Sequence, residues 1–109
     1  MIDLCQLTIH QLHELLCKEQ VTATEVTRAY LDRIEAIDSK LHAYLGVFSE
    51  QALKEAREFD RHRRKLSISS IAGTPIAVKD VICTKGIRTT CGSQILGNYI
   101  PPYDSTSIE

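Results

Sequence analysis

Apolar residues in the first part of the chain recur at spacings of three and four, and each such stretch opens on the chemistry of a helix start. Thr8-Ile9-His10-Gln11 fits a capping box, in which the Thr8 hydroxyl accepts the Gln11 amide and Gln11 reaches back to the Thr8 N–H. Leu7 and Leu12 stand where a hydrophobic staple clamps the entry, and Leu12, Leu15 and Leu16 form a short stripe. Thr22-Ala23-Thr24-Glu25 repeats the device, with Val21 and Val26 as its staple. This predicts a second helix to about Ile37, with Val26, Ala29, Tyr30, Ile34 and Ile37 on one face and Asp38-Ser39 as its end. Ser49 is expected to cap a third helix, stapled by Phe48 and Leu53, with Ala52, Leu53, Ala56 and Phe59 along its apolar side. The basic run Arg61-His62-Arg63-Arg64-Lys65 falls at its C-terminus, where the helix dipole favours cations.

The period then changes. Ser67-Ile68-Ser69-Ser70 is a polar connector. Pro75-Ile76-Ala77-Val78 is a short β-rich apolar run of the kind that forms a buried strand. Thr84-Lys85-Gly86 is a turn signal, and Ile87 to Cys91 reads as a second strand. Pro101-Pro102 forbids regular structure locally, and Thr106-Ser107-Ile108-Glu109 fits one more capping box. The chain therefore reads as helical over residues 1–65 and as strands and turns over residues 66–109, an α/β pattern. Two short strands make a poor sheet alone, so the strands are expected to belong to a larger mixed sheet from which the sequence is cut.

Length and composition narrow the function classes. The chain has 109 residues, enough for one small domain, and is 43% apolar and 25% charged, which excludes disordered and collagen-like classes. Net charge is −1, which argues against non-specific nucleic-acid binding as the main task. The charge is unevenly placed: residues 1–49 carry 4 basic and 7 acidic side chains, whereas residues 50–65 carry 6 and 4. No membrane span and no signal peptide is visible, so a cytoplasmic location is expected, with Cys5, Cys17, Cys83 and Cys91 as reduced, buried thiols.

Lys79 is the most informative single residue. It follows the apolar run and precedes Asp80. A lysine drawn into a strand end of low dielectric can lose its proton near neutral pH and act as a base, whereas one that reaches water is only a solvated charge. His10, His13 and Cys17 share a helical face with Cys5 nearby, but they lack the paired spacing of a zinc knuckle and read as exposed histidines and packed cysteines. Cys83 and Cys91 have no histidine in their stretch to activate them and read as small buried hydrophobes. Ser93 lacks the surroundings of a nucleophile elbow. The run from Arg61 to Lys65 reads as a solvated helix end rather than a phosphate contact, because no aromatics are interleaved.

The residues around Lys79 also carry a family resemblance. Ala72-Gly73-Thr74-Pro75-Ile76-Ala77-Val78-Lys79-Asp80 resembles the lysine-bearing segment of the amidase signature family. The stretches Ile82 to Ser93 and Pro101-Pro102-Tyr103-Asp104-Ser105-Thr106 are similar to the A-subunit group of the tRNA-dependent amidotransferases, as are the early Leu7 to Leu16 and Ala29 to Ile34. The resemblance implies that residues 1–109 are the N-terminal part of an amidase domain. It implies a serine nucleophile activated through a second serine, held in a cis peptide, by a lysine, and it assigns one catalytic residue to this chain, Lys79. Both serines are expected in a Gly/Ser-rich stretch that these 109 residues do not contain, so the chain alone is expected to be inactive. Val81 stands where the family pattern usually has Asn, which removes an amide near the site. The resemblance further implies a glutaminase that supplies ammonia to amidate mischarged Glu-tRNA(Gln) or Asp-tRNA(Asn), with subunits B and C as partners and tRNA met through the complex. It implies no cofactor, metal or membrane for this chain, ATP and Mg being used in a partner subunit. Two alternatives stay open: a non-catalytic helical module that docks on a partner subunit, and another amidase-signature amide hydrolase.

Overall fold

The computed structural model describes residues 2–63 and 69–109. These fall into two compact units, the first ending at Pro75 and the second running from Ile76 to Glu109. Arg64, Lys65, Ser67 and Ile68, which belong to the basic run and the polar connector, lie outside the described residues.

The first unit is built on three helices, α1 (Ile9–Cys17), α2 (Ala23–Leu41) and α3 (Ser49–His62), preceded by a 3-10 turn at Leu4–Gln6. Both capping boxes form. Thr8 Oγ1 accepts from Gln11 N at 3.2 Å while Thr8 N donates to Gln11 Oε1 at 2.8 Å. Thr22 and Glu25 make the same exchange at 3.1 and 2.8 Å. Each satisfies donors that the first turn would otherwise leave unpaired. Helix α1 ends in a Schellman motif, with Gln20 N on Leu15 O at 3.0 Å and Glu19 N on Leu16 O at 3.1 Å, and Glu19 at a left-handed φ of 55°.

Two helix limits differ from expectation. Helix α2 continues past Asp38-Ser39 to Leu41. Asp38 closes it from inside the last turn instead: its carbonyl accepts His42 N at 2.7 Å and its carboxylate accepts Ala43 N at 2.8 Å, with His42 in the left-handed region. Ser49 does not cap α3. It takes helical conformation itself, Phe48 occupies the cap without a side-chain bond, and Ala52 N bonds Phe48 O at 2.9 Å. The first turn is complemented electrostatically by Glu50.

The core lies where the three apolar faces meet. Leu16, Ala23 and Ala56 form its centre, with Val21 and Phe59 packed against it. Leu12 and Val26 are fully buried, and Leu53 nearly so. Each Leu or Val of this kind contributes about 1.5–3 kcal/mol by leaving water. Tyr30 and Ala29 of α2 hold the 3-10 turn: the Tyr30 hydroxyl donates to Leu4 O and the Cys5 thiol to Ala29 O, both at 3.5 Å. Burial raises the pKa of both the Cys5 thiol and the Tyr30 phenol.

Sequence spacing gives no hint of the bond that ties α3 to α2. Asp60, near the end of α3, accepts Ala23 N at 2.8 Å, Thr24 N at 3.0 Å and the Thr24 hydroxyl at 2.6 Å. A carboxylate thus sits on the positive end of α2 from a position 36–37 residues away. Asp60→Ala is expected to lower the unfolding free energy by about 2–3 kcal/mol, since it leaves part-buried donors unpaired. Urea denaturation checks this, and a loss below about 0.5 kcal/mol would show the cap to be idle.

The expected strands do not form: there is no strand among the described residues. Ile76 is 82% exposed and Val78 is also exposed, so the apolar run Pro75-Ile76-Ala77-Val78 lies at the surface. An apolar run becomes a strand by pairing with neighbours, and among the described residues Ile76, Ala77 and Val78 have no backbone partner. Residues 83–89 do lie antiparallel to residues 99–105, through Ser105 N on Cys83 O at 2.8 Å, Gly86 N on Pro101 O at 3.0 Å and Thr89 N on Tyr99 O at 3.0 Å. Pro101 and Pro102 have no N–H to return, so this apposition does not become a regular ladder. Pro101 is fully buried and anchors it. The last predicted cap is one residue out of place: Ile108 N and Glu109 N bond Ser105 O at 2.9 and 3.3 Å, so the final turn starts from Ser105 rather than Thr106.

Candidate functional site

Lys79 sits in the second unit with its side chain exposed. The expected dehydrated amine at the tip of an interior strand is therefore not present in this chain. The run that leads to it is uncovered, and the Lys79 side chain meets water. What the structure does fix is the backbone around it. Lys79 O accepts Ile82 N at 3.0 Å, closing a turn over residues 79–82.

Asp80, the next residue, is the organising side chain of this unit. Its carboxylate accepts Thr90 N at 2.8 Å, Gly92 N at 3.1 Å and the Thr90 hydroxyl, and its carbonyl accepts Cys91 N at 3.0 Å. Cys91 and Gly92 both have positive φ, at 52° and 68°, which turns successive N–H groups toward Asp80. The Thr90 hydroxyl, the N–H groups of Thr90 and Gly92, and the charge of Arg88 hold the Asp80 carboxyl below its ordinary range. Thr89 and Thr90 are buried. Sequence spacing presents Asp80 only as the neighbour of Lys79. The available signal is Gly92, which tolerates the backbone conformation that an anion-holding loop requires.

The other candidate residues are dispersed. Cys17 Sγ lies 3.4 Å from His13 Nε2 on the exposed side of α1, and His10 pairs with Glu14 at 3.5 Å. Cys5 is engaged with Ala29, and among the described residues no three side chains of ligand type converge. The thiols are not all buried as expected: Cys17 and Cys91 are exposed, and Cys5 and Cys83 are half-buried. Cys91 has a left-handed φ of 52°, and its N–H donates to Asp80 O at 3.0 Å. Cys83 Sγ and the Tyr103 hydroxyl are hydrogen-bonded at 3.8 Å, and Cys83 is the first cause of a raised Tyr103 pKa. Ser93 is structural, its Oγ accepting Ile95 N at 3.2 Å. Arg63 is not part of a solvated end: its guanidinium donates to Val21 O at 3.4 Å and lies 3.9 Å from Glu19, with 14% of the side chain exposed. An open groove in the first unit is lined by Arg28, Asp32, Glu35, Asp38, Ser39 and Ser49 among others.

An apolar segment that ends in Lys-Asp, followed by a loop rich in threonine, cysteine and glycine, is a sequence arrangement with known relatives. Residues 25–109 match the Amidase family, and the chain belongs to it. It is 50% identical over 107 residues to the A subunit of glutamyl-tRNA(Gln) amidotransferase from Geobacter sp. (strain M21), covering 98% of this chain and 22% of that protein. It is 50% identical over 102 residues to the protein of the same name from Syntrophobacter fumaroxidans, covering 94% of this chain and 21% of that protein. The counterpart in Desulforamulus reducens is 50% identical over 109 residues, 99% of this chain and 22% of the relative. The chain thus spans about a fifth of the length of the relatives it matches. Among the described residues, no helix is long and apolar enough to cross a membrane.

Proposed function

We propose that this chain is the lysine-bearing portion of the A subunit of a tRNA-dependent amidotransferase, a glutaminase that supplies ammonia for amidating mischarged Glu-tRNA(Gln) or Asp-tRNA(Asn). The observation that carries the reading is 50% identity across nearly the whole chain to proteins of that name. In this reading the protein works in the cytoplasm with subunits B and C, and ATP and Mg act in a partner subunit. The complete fold is α/β, and its remaining segments cover the run before Lys79.

The chemistry follows from one amine. Once dehydrated, neutral Lys79 accepts a proton from a bridging serine, which accepts one from the nucleophilic serine. The alkoxide attacks the side-chain amide carbon of glutamine. The C–N bond breaks, the nitrogen takes up a proton and leaves as ammonia, and a glutamyl ester remains for water to hydrolyse. Lys79 holds the proton between these steps.

The test is reconstitution. The segment of the Geobacter relative that this chain matches is replaced by this chain, and ammonia release from glutamine is assayed. The chimera is expected to hydrolyse glutamine, and the 109-residue chain alone is expected to release none, because a base without its nucleophile performs no acyl transfer. A soluble chimera without activity, or turnover by the chain alone, overturns the reading.

A further inference from the structure

We propose that Asp80 is the positioning residue for Lys79: it locks the lysine's backbone to the loop at residues 90–92, so that the amine starts from a fixed point. The inference rests on the reading of Lys79 as the proton acceptor. A lysine stem is long and flexible, and it loses much freedom when held in one place. The side chain of Lys79 is exposed in this chain, so what the described residues fix is its Cα.

The peptide that follows that Cα is fixed at several points. Asp80 accepts Thr90 N at 2.8 Å, Cys91 N at 3.0 Å and Gly92 N at 3.1 Å, and it also accepts the Thr90 hydroxyl. Lys79 O, in the same peptide, is held by Ile82 N at 3.0 Å. The loop that does the holding is itself anchored. Thr89 and Thr90 are 4% and 8% exposed, and Thr89 N bonds Tyr99 O at 3.0 Å. Cys91 keeps a left-handed φ of 52° without being glycine, a conformation that persists only where surrounding bonds over-determine it. A carboxylate suits this loop, since the Thr90 and Gly92 groups that bond it are donors. Asparagine has the same shape but turns an NH2 toward N–H and O–H groups.

The reconstituted enzyme tests this by separating kcat from KM for glutamine. Asp80→Asn is expected to lower kcat by about 10–100-fold, the effect of a misplacement of the order of 1 Å, with KM changed less than about twofold. Thr90→Val, which removes only the hydroxyl, is expected to lower kcat in the same sense, and Thr90→Ser, which restores it, to return kcat to near the parent value. If Asp80→Asn is insoluble, the Thr90 pair decides alone. Folded Asp80→Asn or Thr90→Val enzyme with kcat within about twofold of the parent, or with its loss confined to KM, overturns the inference while leaving Lys79 in its role, provided that Lys79→Ala is inactive. Activity retained by Lys79→Ala overturns both.

Discussion

Lys79→Ala in the reconstituted enzyme is expected to lower kcat for glutamine hydrolysis by about 10³-fold or more, with the protein folded and KM for glutamine little changed. Residues that act as one proton-transfer unit fail together, so removing the terminal base costs nearly as much as removing the nucleophile. Lys85→Ala is the matched control. It removes an equal positive charge a short way along the chain, from a residue whose structural bond runs through its backbone, Lys85 N to Asp104 Oδ1 at 2.7 Å. Its kcat is expected to stay within about twofold of the parent. Steady-state ammonia release read against glutamine concentration separates the two. A loss shared equally by the two variants would mean that overall charge, and not a base, is being measured.

The second large effect is on stability. Gly73→Ala is expected to lower the unfolding free energy by about 2–4 kcal/mol, the sum of a left-handed backbone cost and an overpacking cost. Gly73 has φ +79°, and a Cβ placed there would stand 2.8 Å from Phe59 Cε1 and 3.2 Å from Leu16 Cδ1. Both side chains belong to the core of the helical unit, so the clash cannot be relieved by moving a free chain end. Gly86→Ala isolates the conformational part, because Gly86 has φ +78° with nothing within 4 Å of the added carbon. It is expected to cost about 1 kcal/mol. Urea denaturation of both variants checks the difference, and Phe59→Leu should recover part of the Gly73→Ala loss through the shared contact. Equal costs at the two glycines would show that the Phe59 contact carries no weight. The glycine of the Ala72-Gly73-Thr74 motif therefore has a packing role in the helical unit, independent of the chemistry of the lysine that follows it.

Much of the helical unit is legible in the sequence because its signals are local. A capping box spans four residues, so Thr8–Gln11 and Thr22–Glu25 announce both partners of each bond. The apolar periodicity locates Leu12, Leu16, Val26, Leu53 and Ala56, all of them core residues. The misreadings are local as well. Ser49 is a good capping residue by type, yet it lies inside the helix, and Asp38 ends α2 from within rather than at its own position. A side-chain preference worth about 1 kcal/mol is easily outweighed by where the next turn packs.

The site is legible only in part. Lys79 stands out through the motif it terminates, but its surroundings do not. The run before it reads as buried because it is apolar, and Ile76 at 82% exposure shows that apolar composition does not bury a segment without a partner. Asp80 and Asp60 are not legible at all as anchors. Their partners lie 10–12 and 36–37 residues away, and no local pattern encodes that pairing.

Residue order was enough to settle where α1 and α2 begin, which faces the helices bury, and membership in the amidase family, because these depend on neighbours within a few residues or on the succession of residue types. Only the folded arrangement settled which carboxylates serve as anchors, which glycine is packed shut, and that the side chain of Lys79 meets water in this chain. Those depend on distances between segments far apart in the chain, and burial belongs to the assembled surface rather than to any residue type.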